Sequence, residues 1–149
     1  MQEPPPPWVT VALSSKVMTI PDNQKAASFF KFENLRIYHK SLLFSNAVLA
    51  IIDNAKTETD KMVATKFFEA ASMITTNIVE GSCATKTSFI GYLQQAKGNI
   101  RTCVSYTAML LRRRVIDEEQ SNDIRNELIE LTKMTGALIV SLQGETIPQ

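Results

Sequence analysis

Proline is absent from the whole stretch between Pro21 and Pro148, although the chain contains six prolines. The other four form the run at residues 4–7. Proline interrupts a helix because it lacks an amide donor and clashes with the preceding turn. Glycine, the other common helix breaker, occurs only five times in the 149 residues. A proline-free stretch of this length with so few glycines indicates an all-helical body.

The composition changes along the chain and divides it into three parts. Residues 1–31 contain the proline run and then a β-branched, partly alternating segment. We expect this part to be an N-terminal extension that is either disordered or a pairing arm. Residues 32–143 show helical periodicity and are predicted to form one domain. Residues 144–149 are expected to form a short frayed tail.

Four amphipathic segments follow one another within the domain. They predict helices at about residues 33–54, 59–81, 88–114 and 117–143. Three helix starts carry candidate N-cap residues, namely Thr57 or Thr59, Thr85 or Thr87, and Asp117 paired with Gln120. Amphipathic helices joined by short connections predict an all-α fold, an antiparallel up-down-up-down four-helix bundle.

The first predicted helix is apolar on more than one side. Residues spaced three and four apart are predicted to face the core, and these are Leu35, Tyr38, Leu42, Asn46, Leu49 and Ile52 or Asp53. Other apolar residues of the first and third helices would then need cover from outside, and these are Ile37, Phe44, Val48, Ile51, Tyr92, Met109 and Leu111. This excess predicts oligomerisation, most simply as a closed symmetric ring or a dimer.

The third predicted helix carries a regular, heptad-like stripe. Its predicted core residues are Phe89, Leu93, Ala96, Ile100, Cys103, Thr107 and Leu110. Gly91 and Gly98 fall inside the same helix, where each lowers helix propensity by about 1 kcal/mol relative to alanine. A glycine inside a long helix often marks a close approach by another element.

The end of the second predicted helix, residues 70–81, is rich in small and polar residues. Gly81 is predicted to end this helix as its C′ residue. Two interpretations of Asn77 and Glu80 are open. In the first, Glu80 is solvated and Asn77 fills a polar position at a helix end. In the second, both residues bond the connection to the third helix or a neighbouring subunit, because a buried polar residue in a bundle must find a partner.

The sequence offers little catalytic or metal-binding chemistry. Its one histidine, His39, has no second histidine or cysteine nearby in sequence and is expected on a helix surface. Cys83 and Cys103 match neither a metal spacing nor a disulfide framework, which suits a reducing compartment. No Glu-x-x-His pair, phosphate-binding loop or nucleophile motif occurs. We therefore expect no enzymatic activity, no metal and no cofactor.

The cellular location is predicted from two features that the sequence lacks, a membrane-spanning segment and a signal peptide. No apolar run is long enough to cross a bilayer. The N-terminus lacks the basic start and the long apolar stretch of a signal peptide. A cytoplasmic protein without membrane association is expected.

Charge is unevenly distributed, although the formal net charge is only +1. Residues 82–116 contain no acidic residue and six basic ones, namely Lys86, Lys97, Arg101, Arg112, Arg113 and Arg114. Residues 117–149 carry seven acidic residues against two basic ones. Helix-dipole complementarity at adjoining helix ends is one explanation. A weak nucleic-acid-binding strip that touches phosphates is a second, and pairing of basic and acidic faces between subunits is a third.

Three motifs resemble those of a known family. FENLRIY at residues 32–38 resembles the family opening F-x-D/N-L-x-V/I-W/Y, and NIVEG at residues 77–81 resembles N-I-A-E-G. SFIGYLQQAKGNI at residues 88–100 resembles F-x-x-F/Y-L-x-x-A-x-G-S-L. In their order and spacing these motifs resemble the four-helix-bundle proteins named for 23S rRNA intervening sequences. Those proteins are similar to the accessory variability determinant of diversity-generating retroelements.

The resemblance implies a homopentameric barrel of four-helix bundles. For the retroelement relative it also implies binding of nucleic acid and of a reverse transcriptase. This chain departs from the family where bases are common, because Phe68 and Glu69 stand where an Arg-Arg pair is frequent, and Ala84 and Thr85 stand where arginines follow the E-G. Thr102 replaces a frequent glutamate. The lost bases weaken the prediction of nucleic-acid binding.

Two hypotheses follow from the sequence. The first is a non-enzymatic, homo-oligomeric scaffold, most simply a pentamer, that docks RNA or a partner protein such as a reverse transcriptase. The alternative is a purely structural or protein-interaction module with no nucleic-acid role.

Overall fold

The structure is a computed structural model that describes residues 29–146. Four long helices make up nearly all of these residues. A 3₁₀ helix, Lys31–Asn34, precedes them. The four helices are α1 (Arg36–Asn54), α2 (Glu58–Ser82), α3 (Lys86–Arg112) and α4 (Glu118–Thr146). Residues 29–146 contain no strand, so the predicted four-helix bundle is confirmed. The prediction for the N-terminal extension falls almost wholly outside the described residues, whereas α4 runs past the predicted tail boundary at 144.

The helix starts follow the predicted caps. The Thr57 side chain accepts a hydrogen bond from the amide of Asp60 at 3.1 Å, and the Thr85 side chain accepts one from the amide of Ser88 at 3.2 Å. Asp117 and Gln120 form a reciprocal capping box, each side chain accepting from the other residue's amide at 2.8 and 2.9 Å. These bonds satisfy amides that have no partner within the helix, which fixes where the last three helices begin.

The helices pack in chain order, α1 on α2, α2 on α3 and α3 on α4, and α1 and α4 make a much smaller contact than these three pairs. Because the connections are short, consecutive helices run antiparallel. One ion pair joins the first and last helices, with 2.9 Å between Lys40 Nζ and a carboxylate oxygen of Glu127. The contact between α2 and α3 is therefore the most extensive one in the bundle.

The core confirms the predicted stripe of α3 completely, since all seven of its residues are buried. They pack against buried residues of the other helices, which include Phe67, Ile74, Ile78, Leu128 and Leu131. Burial of each such side chain stabilises the fold by about 1.5–3 kcal/mol relative to leaving it exposed. The buried residues of α3 are regularly spaced because α3 packs against both α2 and α4 along its length.

The predicted orientation of α1 was wrong. Ile37, Phe44, Val48 and Ile51 are buried, although the sequence pattern assigned them to the outside. In the core the Phe44 ring meets the Phe67 ring edge-on, with 6.0 Å between centroids. Both sides of α1 are apolar, so periodicity alone could not choose between them. The choice depends on which side fits α2.

The predicted core face of α1 lies instead partly in solvent. Leu42 is 38% exposed and Leu49 is 39% exposed. The face that does pack on α2 carries a buried hydroxyl, Ser41 Oγ, which donates to the carbonyl of Tyr38 and accepts from Thr75 Oγ1 at 2.9 Å. Of the supposed excess residues on α3, only Met109 is exposed, whereas Tyr92 and Leu111 are half-buried.

Gly81 does not end α2 as a C′ residue, so this prediction was also wrong. It lies inside the helix, which continues to Ser82, and no described glycine has a positive φ. A Cβ atom at Gly81 would lie 2.6 Å from a ring carbon of Phe89 and 2.8 Å from the Cβ of Tyr92. Glycine is needed here because α3 approaches the backbone of α2 too closely for any side chain.

The two glycines inside α3 have no comparable neighbour. A Cβ atom at Gly91 would meet nothing within 4 Å, and one at Gly98 would meet only the end of the Arg101 side chain at 3.9 Å. The predicted close approach by another element of the same chain is therefore absent from the described structure at both positions.

We predict opposite effects of alanine at these two kinds of glycine. Gly81→Ala should lower the free energy of unfolding by about 1–3 kcal/mol, because the new methyl group overlaps Phe89 and Tyr92. Gly91→Ala, the matched control in an open part of a helix, should raise it by up to about 1 kcal/mol through helix propensity. Urea unfolding followed by circular dichroism measures both. A stabilising or neutral Gly81→Ala would contradict the close contact.

Candidate functional site

A polar contact joins the two central helices at the motif that the sequence singled out. Asn77 is only 5% exposed, and its Nδ2 donates to Oδ1 of Asn99 on α3 at 2.7 Å. The second interpretation of Asn77 was therefore right that it finds a partner, but the partner lies on α3 itself. Glu80 is exposed, as in the first interpretation. Asn99 was missed, although its place three residues after Ala96 puts it beside the buried stripe of α3.

The six basic residues predicted to bind nucleic acid form two groups. Lys86, Lys97 and Arg101 lie along one side of α3, since their spacings of eleven and four return to nearly the same helix face. Arg112, Arg113 and Arg114 stand at the end of α3, about 16 Å beyond Arg101 at 1.5 Å per residue. Gaps of about three turns separate Lys86 from Lys97 and Arg101 from Arg112, so the strip is sparse.

The arginine group at the end of α3 is partly neutralised by acidic neighbours. Arg113 Nε donates to a carboxylate oxygen of Asp60 at the start of α2, forming an ion pair between the two helices. That side-chain hydrogen bond lowers the pKa of Asp60 below its ordinary value. Arg112 and Arg114 line an open hollow of about 790 Å³ together with Asp117 and Glu118. The arrangement has the charge complementarity expected where one helix ends and the next begins.

Arg114 is the one described non-glycine residue with a positive φ, at 61°. Its amide donates to the carbonyl of Leu111, and the amide of Val115 donates to the carbonyl of Leu110 at 2.9 Å. These bonds form a Schellman motif, in which the left-handed position usually holds glycine. An arginine at this position pays a conformational cost and presents its side chain at the rim of the hollow.

An apolar groove lies on the outside of the bundle between α1 and α2. We define the α1–α2 groove by its apolar residues Tyr38, Leu42, Leu49, Phe68 and Val79, with Phe32 at one end. Its polar lining residues are Ser45, Asn46, Ser72, Thr75, Thr76 and Glu80. The groove has a volume of about 520 Å³ and is open to solvent.

One polar group in the α1–α2 groove has no partner. The Ser45 side chain is 5% exposed, and its Oγ makes no hydrogen bond. A buried hydroxyl without a partner loses about 1–3 kcal/mol relative to a satisfied one. The groove therefore combines exposed apolar surface with an unused hydrogen-bonding group.

His39 is half-buried, which differs from the expected helix surface. Its Nε2 donates to the carbonyl oxygen of Glu33 in the 3₁₀ helix, and its ring packs edge-on against Tyr38 with 5.1 Å between centroids. Its Nδ1 is buried and has no hydrogen-bond partner. The His39 side chain therefore connects the 3₁₀ helix to the first turn of α1.

The two cysteines lie in different environments. Cys103 is buried, and desolvation raises the pKa of its thiol to about 12, so the thiol stays protonated at neutral pH. Cys83 is exposed. Within residues 29–146 no three histidine, cysteine, aspartate or glutamate residues cluster closely enough to hold a metal ion. None of the described helices is both long and apolar enough to cross a bilayer.

These features define an all-α four-helix bundle with an external apolar groove. The sequence profile of the 23S rRNA-intervening sequence proteins matches residues 33–137, and the chain belongs to that family. A crystal structure of a protein of unknown function from the S23 ribosomal protein family of Bacteroides thetaiotaomicron is similar, with a TM-score of 0.64 and 23% sequence identity. The match covers 69% of this chain and 94% of that one, and it shows a shared fold. No curated protein matches the chain.

We predict that Asn77 and Asn99 are energetically coupled. Asn77→Ala should lower the free energy of unfolding by about 1–3 kcal/mol, because it leaves the Asn99 amide without its partner. The double variant Asn77→Ala/Asn99→Ala should cost less than the sum of the single variants by at least about 0.5 kcal/mol. A double-mutant cycle in urea measures the coupling.

Gln95→Ala serves as the control, since Gln95 is an exposed amide residue of α3 outside the α1–α2 groove. It should change stability by no more than about 0.5 kcal/mol. Strict additivity of the two core variants would mean that the Asn77–Asn99 hydrogen bond contributes nothing.

Proposed function

We propose that this protein is a non-enzymatic, homo-oligomeric scaffold, most simply a pentamer, that docks a partner macromolecule. The observation that carries the proposal is the α1–α2 groove, which leaves Leu42 and Leu49 exposed beside Phe68 and Val79 although the bundle core is complete without them. Contiguous apolar surface of this kind marks protein contacts. The resemblance to pentameric family members supports a closed ring.

RNA is the partner class that the basic residues of α3 favour, and a protein such as a reverse transcriptase is the other class. Arg112 and Arg114 have no acidic ion-pair partner among the described residues, in contrast to Arg113. Their guanidinium groups are exposed at one end of the bundle, where phosphates can reach them. In the scaffold, copies of this bundle end would act together and raise the avidity for one RNA.

A second candidate is a protein-interaction module without a nucleic-acid role. The formal net charge of +1 favours it, as does the presence of Asp60, Asp117 and Glu118 beside the arginine group. Long-range attraction of RNA is weak for a chain with so little net charge.

RNA binding is tested with a variant that removes two charges and keeps the turn. Arg112→Gln/Arg114→Gly leaves the Arg113–Asp60 pair intact, and glycine suits the left-handed position. If each arginine contacts one phosphate, the slope of log affinity against log salt should fall in magnitude by about 2. Gel shifts with structured RNA between low and physiological salt measure this slope.

The matched control is Lys31→Gln/Arg36→Gln, which removes two exposed charges at the opposite end of the bundle. Its salt slope should equal that of the unmodified protein. Absence of binding at low salt, or equal slopes for both variants, would rule out RNA docking at this end and leave the protein-interaction module.

A further inference from the structure

We propose that α4 of one copy of this chain seats in the α1–α2 groove of the next copy. The inference rests on the proposed homo-oligomer and names the two surfaces that build it. We define the α4 ridge by Ile129, Lys133, Gly136 and Val140, which are spaced four, three and four apart on one side of α4. In this contact the α4 ridge of one copy packs into the α1–α2 groove of the next copy.

The α4 ridge is apolar surface that its own bundle does not use. Ile129 is 49% exposed and Val140 is 67% exposed. A Cβ atom at Gly136, between them, would meet nothing within 4 Å. A glycine between two exposed branched residues allows the backbone of α4 to come close to another helix pair.

The groove and the ridge match in length. Phe68 and Val79, which line the α2 side of the groove, are eleven residues apart, and so are Ile129 and Val140 on the ridge. Eleven residues of helix span about 16 Å. Two apolar contacts on one helix can therefore meet two apolar contacts on the other with no change in either backbone.

Polar groups complement each other along the same contact. Glu80 lines the groove, and Lys133 lies on the ridge. Neither side chain forms an ion pair with another described residue. Ser45 Oγ adds an unused hydrogen-bonding group within the groove. A charged pair across the interface would fix the register of the ridge, which apolar contacts alone leave loose.

The geometry selects a second copy because both halves of the contact occur on each chain. Groove and ridge are different surfaces, on α1–α2 and on α4, so each copy uses one surface toward each neighbour. Such a heterologous contact does not stop at a dimer and closes as a ring when the rotation permits. It therefore builds the kind of assembly that the proposed scaffold requires.

Two single variants and their mixture test this arrangement in the full-length chain. Leu49→Asp spoils the groove and Val140→Asp spoils the ridge, and both side chains are exposed enough to leave the bundle folded. Each variant alone should have the monomer mass of 16.6 kDa by light scattering. Mixed in equal amounts they should form a dimer and nothing larger, because one intact groove meets one intact ridge.

Charge exchange tests the register. Glu80→Lys and Lys133→Glu should each weaken assembly at least tenfold, and the double variant should restore it, since the pair is then reversed and intact. Circular dichroism confirms that each variant is folded. Failure of the double variant to recover, with both single variants folded, would overturn the pairing of Glu80 with Lys133.

The matched controls are Met73→Asp and Met109→Asp, which place a charge on exposed methionines outside both surfaces. They should assemble normally. Loss of assembly in these controls but not in Leu49→Asp and Val140→Asp would move the interface to the α2–α3 face. Loss of assembly in Leu49→Asp alone would mean that another segment fills the groove.

A monomeric unmodified protein would refute the proposed homo-oligomeric scaffold itself. An unmodified protein that assembles, with variants that do not behave as described, would refute only this interface.

Discussion

The close contact between α2 and α3 at Gly81 is the constraint on which the rest of the structure depends. No side chain larger than hydrogen fits between the α2 backbone and the Phe89 and Tyr92 side chains. One turn earlier on α2, the Asn77–Asn99 hydrogen bond fixes the same pair of helices in register. Apolar packing can slide by a helical turn at little cost, whereas a buried amide pair and a glycine contact cannot.

The outer helices are arranged around this central pair. α1 packs on α2 and α4 packs on α3, while the contact between α1 and α4 is much smaller. A bundle built in this order buries the inner faces of α1 and α4 but leaves their outer faces free. The α1–α2 groove and the α4 ridge lie on those free faces.

Much of the fold could be predicted from the sequence, because helix periodicity and capping are local. The seven buried positions of α3 followed from spacing, and the caps at Thr57, Thr85 and Asp117 were among the candidates that residue type offered. The orientation of α1 could not be predicted in this way, because both of its sides are apolar. The side that turns inward is the one that packs on α2, where the Phe44 ring meets the Phe67 ring.

The candidate site was predicted less well than the fold. Gly81 follows a helix-ending motif, and nothing local indicates that Phe89 would pack on it eight residues later. The partner of Asn77 lies 22 residues away on another helix, so it depends on the register of the bundle. The six basic residues were visible as a cluster in sequence, but the Asp60 that neutralises Arg113 is 53 residues away. These three features depend on contacts between different helices, and sequence periodicity carries no information about such contacts.

Native-state hydrogen exchange along the four helices tests most directly whether α2 and α3 form the central unit. Amides near Ile74 on α2 and Leu93 on α3, both fully buried, should exchange only through global unfolding. Amides of α1 and α4 should exchange earlier, through local opening, with a weaker dependence on denaturant. If amides of α1 or α4 outlast those of α2 and α3, the contact at Gly81 and Asn77 is not the central one of the bundle.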